Sequence, residues 1–306
     1  MKQIIGFIKT YYYEVNKPVL LTCTVFIALF TGLNYHYHFE KRLINHETIF
    51  LNSFIDQFLI YLLAFLVPYL FIAMQEKDKK FKNPWLLTCI VLSPLLFAIK
   101  VRMNTAIFIS TDPQWNNYWN DIIYWPLRMI VLVVMLFICK QVFHKKEKKF
   151  YGLSDKQLTY TPYLIMLLVM MPLIAAASTQ PDFLATYPKM KTVLPLPAEA
   201  NPAWFYKLLF ELSYGTDFFS IEIFFRGFLI VGFIKWVGKD AILPMACFYC
   251  SIHFGKPLGE CISSYFGGLL LGIVSYNTRS IYGGLIVHLG IAWLMELGGY
   301  IGNLTK

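Results

Sequence analysis

Apolar residues in this chain come in runs of about twenty, separated by short polar or lysine-rich stretches. The runs fall at about 18–37, 49–74, 84–99, 121–139, 160–178, 205–236, 241–254, 258–276 and 281–302. A bilayer core takes about 20 residues of α-helix to cross. Lipid also offers no partner to backbone polar groups, so spans must be helices or closed barrels. The pattern therefore predicts an all-α, polytopic helical membrane protein with about eight or nine transmembrane helices. The run 205–236 is longer than one crossing needs, and its first part is expected in the interface or folded back.

Composition agrees. Of 306 residues, 57% are hydrophobic and only 15% charged, against about 25% in soluble domains. The net charge of +9 raises nucleic acid as a partner. The basic residues, however, cluster at the ends of apolar runs, as positive-inside flanks and attraction to anionic lipid require. Membrane lipid is the expected partner, and nucleic acid is not. The lysine-rich loops 75–82 and 140–149 are assigned to the cytoplasmic side, which puts the N-terminus there too. The polar, basic stretch before the first apolar run reads as the lead-in to a retained first helix, not a cleaved signal. Six cysteines lie mostly within apolar runs and form no extracellular disulfide pattern.

Residues 179–204 contain five prolines and no helical period, marking an extramembrane loop. It divides an N-terminal transmembrane bundle, 1–178, from a C-terminal core, 205–306, that carries the candidate site. In the first part Asp56 and Arg128 are mid-span charges and a possible pair. Trp115, Tyr118, Trp119, Tyr124 and Trp125 read as an interfacial aromatic belt.

The candidate chemistry lies in the C-terminal core. Glu222 and Arg226, at i,i+4 spacing, share one face of a helix inside an apolar run. Ionisable groups in lipid are costly and mark functional sites by default. The next spans supply His253 and His288, so three helices each contribute a carboxylate or imidazole, as a metal site in a bundle core requires. A structural ion pair and two interhelical histidines are the plainer reading of the same residues. Cys247-x-x-Cys250-x-x-His253 has the look of a redox or zinc unit. On a helix those three residues drift around the axis, and cysteine is also a common apolar filler. Gly268-x-x-x-Gly272 is a close-packing signal.

At these positions the chain resembles the CPBP intramembrane metalloproteases, the CAAX-protease and bacteriocin-processing (Abi) family. The family pattern is EExxxR, then FxxxH, then HxxxN or HxxxD, on successive membrane helices. Here the elements read Ile221-Glu222-Ile-Phe-Phe-Arg226-Gly-Phe-Leu, then Tyr249-Cys-Ser-Ile-His253, then His288-Leu-Gly-Ile-Ala292. The resemblance spans roughly 200–302 and implies a membrane metalloendopeptidase. His253 and His288 would hold Zn²⁺ and its water, Glu222 would take the water's proton, and Arg226 would fix Glu222 or steady developing charge. It also implies a membrane-associated protein or peptide as substrate and a bacterial inner membrane as the place of residence.

Two departures bear on catalysis. Ile221 replaces the first glutamate of the pattern, and Ala292 replaces its Asn or Asp. Glu222 itself, Glu260 or Glu296 are the residues placed to make up the loss. Two other classes of function stay open: a non-catalytic CPBP-like scaffold or partner-binding protein, and a transporter using Glu222, Arg226 and Asp217 as a relay.

Overall fold

A computed structural model describes residues 1–45, 50–76, 79–104, 107–154 and 159–304. Parts of the loops 37–47, 75–82 and 100–120, and residue 49 at the start of the second apolar run, lie outside the described residues. Six helices come first: α1 (Lys2–Glu14), α2 (Lys17–Tyr37), α3 (Phe50–Glu76), α4 (Pro84–Arg102), α5 (Pro113–Phe143) and α6 (Tyr160–Ala177). The short α7 (Pro181–Thr186) precedes α8 (Ala203–Glu222), the four-residue α9 (Ile234–Val237), α10 (Ile242–Ser251), α11 (Leu258–Thr278) and α12 (Tyr282–Leu304). No strand occurs among the described residues.

Local chemistry explains several helix starts. Asn16, Asn83 and Asp112 each accept a backbone N–H from the first turn, and a proline stands at the first or second helical position after each. That pairing satisfies an orphan donor and presets φ for the helix. At the other ends, His38 and Arg279 adopt left-handed backbone at φ +54°, which stops α2 and α11.

Among the described residues, seven helices are long and apolar enough to cross a membrane: α2 to α6, α11 and α12. α8 carries Lys207, Glu211, Asp217 and Glu222, which lower its apolarity. It continues without a break into a π-helical stretch, Ile223–Gly232, so the first part of the long run at 205–236 does not fold back. No proline interrupts it, and the wider π turn carries it onward. α10 has only ten residues, all buried, and packs among α2, α3 and α11.

The boundary at 179–204 divides the sequence but not the core, because the largest apolar cluster runs from Tyr11 to Ile281. At its heart four rings pack edge-on or tilted: Phe97, Phe224, Phe225 and Phe248 lie within 6.0 Å of one another, centroid to centroid. Gly268 and Gly272 let α11 close onto α10. A Cβ on Gly268 would meet Tyr249 at 3.0 Å, and one on Gly272 would meet Met245 at 2.7 Å. Small residues at this spacing permit close helix approach where no hydrophobic effect drives helices together.

Two expectations change here. The aromatic residues of α5 are not a lipid-facing belt, since Tyr118 is fully buried and donates to the Tyr206 carbonyl at 2.8 Å. Trp125 packs on Phe210 and Tyr214, so the rings form the α5–α8 interface. Arg128 does not take Asp56 as partner; it donates to the carbonyls of Val101 and Met103 and lies over the Tyr124 ring. Carbonyls left free at the end of α4 are nearer partners for it than a carboxylate on α3.

Candidate functional site

Glu222 closes the α-helical part of α8 and Arg226 lies in the π-helical stretch that follows. Arg226 Nη1 is 3.1 Å from Glu222 Oε1, and neither side chain has any solvent exposure. The contact has ion-pair distance without hydrogen-bond alignment. Glu222 Oε2 and all three guanidinium nitrogens of Arg226 lack a hydrogen-bond partner among the described residues. Arg226 is held instead by the Tyr249 ring, with Cζ 4.2 Å from its centroid.

The helix can place these groups because two glycines clear the space. A Cβ on Gly227 would sit 2.4 Å from the Tyr151 carbonyl oxygen, so only glycine fits between Arg226 and Phe228. On α12, a Cβ at Gly284 would sit 2.2 Å from Glu222 Oε2. The α12 backbone therefore lies directly against the carboxylate.

His288, one turn beyond Gly284 on α12, completes the group. Its Nδ1 lies 3.0 Å from Glu222 Oε1, and its Nε2 lies 3.0 Å from the Tyr249 hydroxyl. A carboxylate can only accept, so Nδ1 carries the proton and Nε2 accepts from the phenol. Its ring packs edge-on against Phe218, 4.8 Å between centroids. The result is a chain of contacts from Arg226 to Glu222, His288 and Tyr249, drawn from three helices and sealed at its carboxylate end.

His253 stands apart from this chain. It lies in the turn after α10, where its Nδ1 donates to the Tyr249 carbonyl at 2.9 Å and its ring packs edge-on against Tyr249. That bond fixes the tautomer and leaves Nε2 with the lone pair and no partner among the described residues. Tyr249 is thus the residue between the two imidazoles, through its backbone to His253 and its hydroxyl to His288. The sequence has Tyr249 where the resembling family pattern has phenylalanine, and sequence reasoning drew no role from it. The hydroxyl at that position was the available signal.

The expected metal site was tested on the donor set. His288 has both nitrogens engaged, and Glu222 Oε1 is shared between His288 and Arg226. Among the described residues no group of three His, Cys, Asp or Glu side chains is placed to hold a metal ion. As arranged, these residues do not fit Zn²⁺, because Tyr249 sits on the nitrogen that His288 would offer. The thiols do not supply the deficit. Cys247 faces the Cys23 carbonyl, Cys250 lies 3.8 Å from the Cys261 sulfur, and all six cysteines are free.

Neither substitute acid hydrogen-bonds to Glu222, Tyr249, His253 or His288. Glu296 accepts the backbone N–H groups of Lys189, at 2.8 Å to each of its oxygens, and of Met190 at 3.4 Å. Glu260 accepts the Tyr187 hydroxyl at 3.0 Å, and Lys256 lies 3.7 Å away. Both carboxylates fasten the segment after α7 onto α11 and α12. Ile221 and Ala292, at the two departures from the family pattern, are packed in apolar clusters, the latter with Phe210, Tyr214 and Phe218.

A second buried ion pair lies elsewhere on α8. Lys100 at the end of α4 meets Asp217 Oδ1 at 2.5 Å, and the Ser220 hydroxyl donates to the same oxygen at 3.2 Å.

In a comparison with known families, residues 204–294 match the family described as type II CAAX prenyl endopeptidase Rce1-like. The match covers α8, α10, α11 and most of α12, and with them Glu222, Arg226, Tyr249, His253 and His288. The match is consistent with the CPBP/CAAX-protease resemblance and is confined to this segment. No curated protein and no solved structure gives a significant match.

Proposed function

We propose that this chain, whose residues 204–294 form an Rce1-like segment, is a multi-pass membrane endopeptidase acting on a membrane-associated protein or peptide. The observation that carries the reading is the Glu222–His288–Tyr249 chain, a carboxylate orienting an imidazole that holds a hydroxyl. A carboxylate that fixes an imidazole's tautomer and balances its charge is the logic of hydrolytic triads on unrelated folds.

The roles follow from which atoms are free. Glu222 is sealed from solvent and engaged on Oε1, so it does not meet water and instead holds His288. His253 Nε2 has a lone pair and no partner, and it is the group to take the proton from a water attacking the peptide carbonyl. The Tyr249 hydroxyl donates to the carbonyl oxygen as negative charge builds there. The proton that His253 took from water passes to the departing amine, and His288, oriented by Glu222, takes back the Tyr249 hydroxyl as the charge on the carbonyl oxygen collapses. Arg226 balances the Glu222 charge where no water can. A resident Zn²⁺, as the resemblance implies, would have to draw on Nε2 of both imidazoles, after Tyr249 had left His288. Residence in a bacterial inner membrane belongs to the same proposal.

The experiment is hydrolysis of a membrane-anchored peptide library by the purified chain in liposomes, read by mass spectrometry. Cleavage that is lost in both Glu222→Gln and His253→Ala supports the reading. Absence of cleavage, or cleavage indifferent to both, removes it.

The packing of Ile221 and Ala292 favours a second reading, a non-catalytic CPBP-like scaffold. Among the described residues no carboxylate makes a hydrogen bond or ion pair with His253, and the places where the family keeps polar groups are filled with hydrocarbon. On that reading Glu222→Gln alters folding yield or partner capture and nothing else.

A further inference from the structure

One close pair stands out among the six free thiols. Cys250 lies in the last turn of α10 and Cys261 in the first turn of α11, and their sulfurs are 3.8 Å apart. The Cys250 thiol donates to the Cys261 carbonyl at 3.4 Å, and the Cys261 thiol lies 3.8 Å from the Cys250 carbonyl. Each sulfur therefore rests against the other residue's backbone. The pairing is not the one that Cys247-x-x-Cys250 suggests, because Cys247 turns to the Cys23 carbonyl at 3.9 Å.

The surroundings hold the two residues in register. Thr31 Oγ1 is 3.7 Å from the Cys250 sulfur, and the Ser264 hydroxyl donates to the Cys261 carbonyl at 2.7 Å. The turn between them, which carries His253, is fixed to α2. Asn34 Nδ2 donates to the Phe254 carbonyl at 3.2 Å, and the Tyr35 hydroxyl donates to the Lys256 carbonyl at 2.5 Å. A disulfide needs its sulfurs about 2.05 Å apart. From 3.8 Å, side-chain rotation and a small approach of two already adjacent backbones close the gap.

The pair also lies on the side of the bundle where a disulfide persists. α10 starts beside the lysine-rich loop 75–82, where Lys80 is 2.6 Å from Asp240, just before α10. Lys235 likewise donates to the Phe143 carbonyl in the lysine-rich loop 140–149. With those loops on the cytoplasmic side, α10 runs away from the cytoplasm and delivers Cys250 and Cys261 toward the opposite face. There the turn meets Tyr187 of the extramembrane segment 179–204, through Lys256 at 3.2 Å. Disulfides form and last outside the cytoplasm and are kept reduced within it. Gly255, Leu258 and Gly259 are exposed, so both sulfurs lie just under an open turn, although Cys250 and Cys261 are only 1% and 0% exposed.

We propose that Cys250 and Cys261 are a redox-active pair that oxidises to an intramolecular disulfide, stapling α10 to α11 across the turn that carries His253. The reaction is thiol–disulfide exchange with a small uncharged disulfide as oxidant. One cysteine sulfur attacks the oxidant, whose S–S bond breaks as the first thiol leaves. The second cysteine attacks the mixed disulfide, and the new S–S bond forms as the second thiol leaves. Two electrons and two protons pass from the cysteines to the two thiols released. The proposal does not depend on peptidase activity.

The test uses the purified full chain in detergent, with dithiodipyridine, an apolar disulfide, as oxidant. After oxidation the chain is denatured, its remaining thiols are alkylated with N-ethylmaleimide, and proteolytic fragments are read by mass spectrometry. Expected is a cross-linked fragment joining Cys250 to Cys261, two hydrogens lighter than the sum of its parts. The bridge raises the melting temperature, and dithiothreitol reverses both changes. Cys250→Ser and Cys261→Ser each lose the cross-link and the shift in melting temperature. Serine keeps a donor for the facing carbonyl, and should either variant fail to fold, the fragment map of the parent still decides. Maleimide or a pyridyl group left on either residue of the oxidised parent, or a cross-link from one of them to a different cysteine, overturns the proposal.

Discussion

Two buried charge clusters share α8, and they differ in how completely their atoms are used. At one, Lys100 and Asp217 meet at 2.5 Å, Ser220 donates to the same carboxylate, and nearby Arg128 spends its donors on free carbonyls of α4. At the other, Glu222 keeps one oxygen without a partner, and all three Arg226 nitrogens go without a hydrogen bond. Burying charge is expensive unless it is paired and bonded. A satisfied cluster is explained by the fold alone; an unsatisfied one held in place by a π-helical turn and two glycines is strain that the fold carries for another reason. The comparison places Lys100–Asp217 with structure and leaves Glu222–His288–Tyr249 as the cluster that the proposed activity would use.

The contrast breaks if variants in the two clusters behave alike, and the largest effects test it first. Lys100→Met leaves the half-buried Asp217 carboxylate without its cation. Breaking a fully buried pair costs about 3–5 kcal/mol, and with Asp217 21% exposed the cost lies below that, so the melting temperature falls while turnover per folded molecule holds. His253→Ala reverses the pattern: its one bond to the Tyr249 carbonyl is a small loss to the fold, and turnover drops by about 10²–10⁴. Thermal melts paired with peptide hydrolysis read both. A stable Lys100→Met, or an unfolded His253→Ala, would merge the clusters into one kind.

Gly284→Ala sharpens the same point. The new Cβ would lie 2.2 Å from Glu222 Oε2, and the nearest relief is a shift of the carboxylate away from His288. Overpacking of this kind costs about 1–3 kcal/mol, and turnover should fall with it. Gly267→Ala on α11 is the control: nothing lies within 4 Å of its Cβ, and replacing glycine within a helix stabilises by up to about 1 kcal/mol. A smaller effect is expected at the phenol. Tyr249→Phe keeps the ring under Arg226 but frees His288 Nε2, so turnover falls about tenfold, as for one lost hydrogen bond. Elemental analysis should find zinc well below one per chain in the parent and more in Tyr249→Phe. Stoichiometric zinc in the parent would return the site to the metal reading.

Much of this was legible before any coordinates, and the reason is physical. Runs of about twenty apolar residues have few ways to satisfy their backbone in lipid, so the helical, polytopic architecture followed from hydropathy alone. Glu222 stood out because a carboxylate in an apolar run demands a partner, and the i,i+4 spacing named Arg226. Its meeting with His288 could be proposed only because the spans come in order. What stayed hidden depends on how neighbours pack. Lys100 and Asp217 sit on separate helices, 117 residues apart, with no motif to join them. The aromatic residues of α5 read as an interfacial belt because sequence does not say that α8 lies against them. Tyr249 was passed over because a phenol and a phenyl ring look alike in a hydropathy profile, though only the phenol can bond to His288.

His144 extends the comparison to a third buried group, just beyond α5. Its Nε2 lies 3.0 Å from the Gly232 carbonyl, where the π-helical stretch ends, and its Nδ1 lies 3.0 Å from the Tyr151 hydroxyl. The carbonyl takes the Nε2 proton and the phenol donates to Nδ1, so the neutral ring is fully satisfied and belongs with Lys100–Asp217 on the structural side. Burial, with Lys235 close by, pushes its pKa down to about 4 from the ordinary 6.5. The folded state thus favours the neutral ring. Its contribution to stability is complete above about pH 6.5, shrinks as pH falls toward 4, and is gone below that. In that window the slope approaches one proton, about 1.36 kcal/mol per pH unit. Melting temperature measured from pH 7 to pH 4 should fall in the parent and fall less in His144→Phe, while turnover per folded molecule at pH 7 is the same in both. A flat parent curve, or a His144→Phe variant that stays folded but loses turnover, would move His144 from the structural side to the catalytic one.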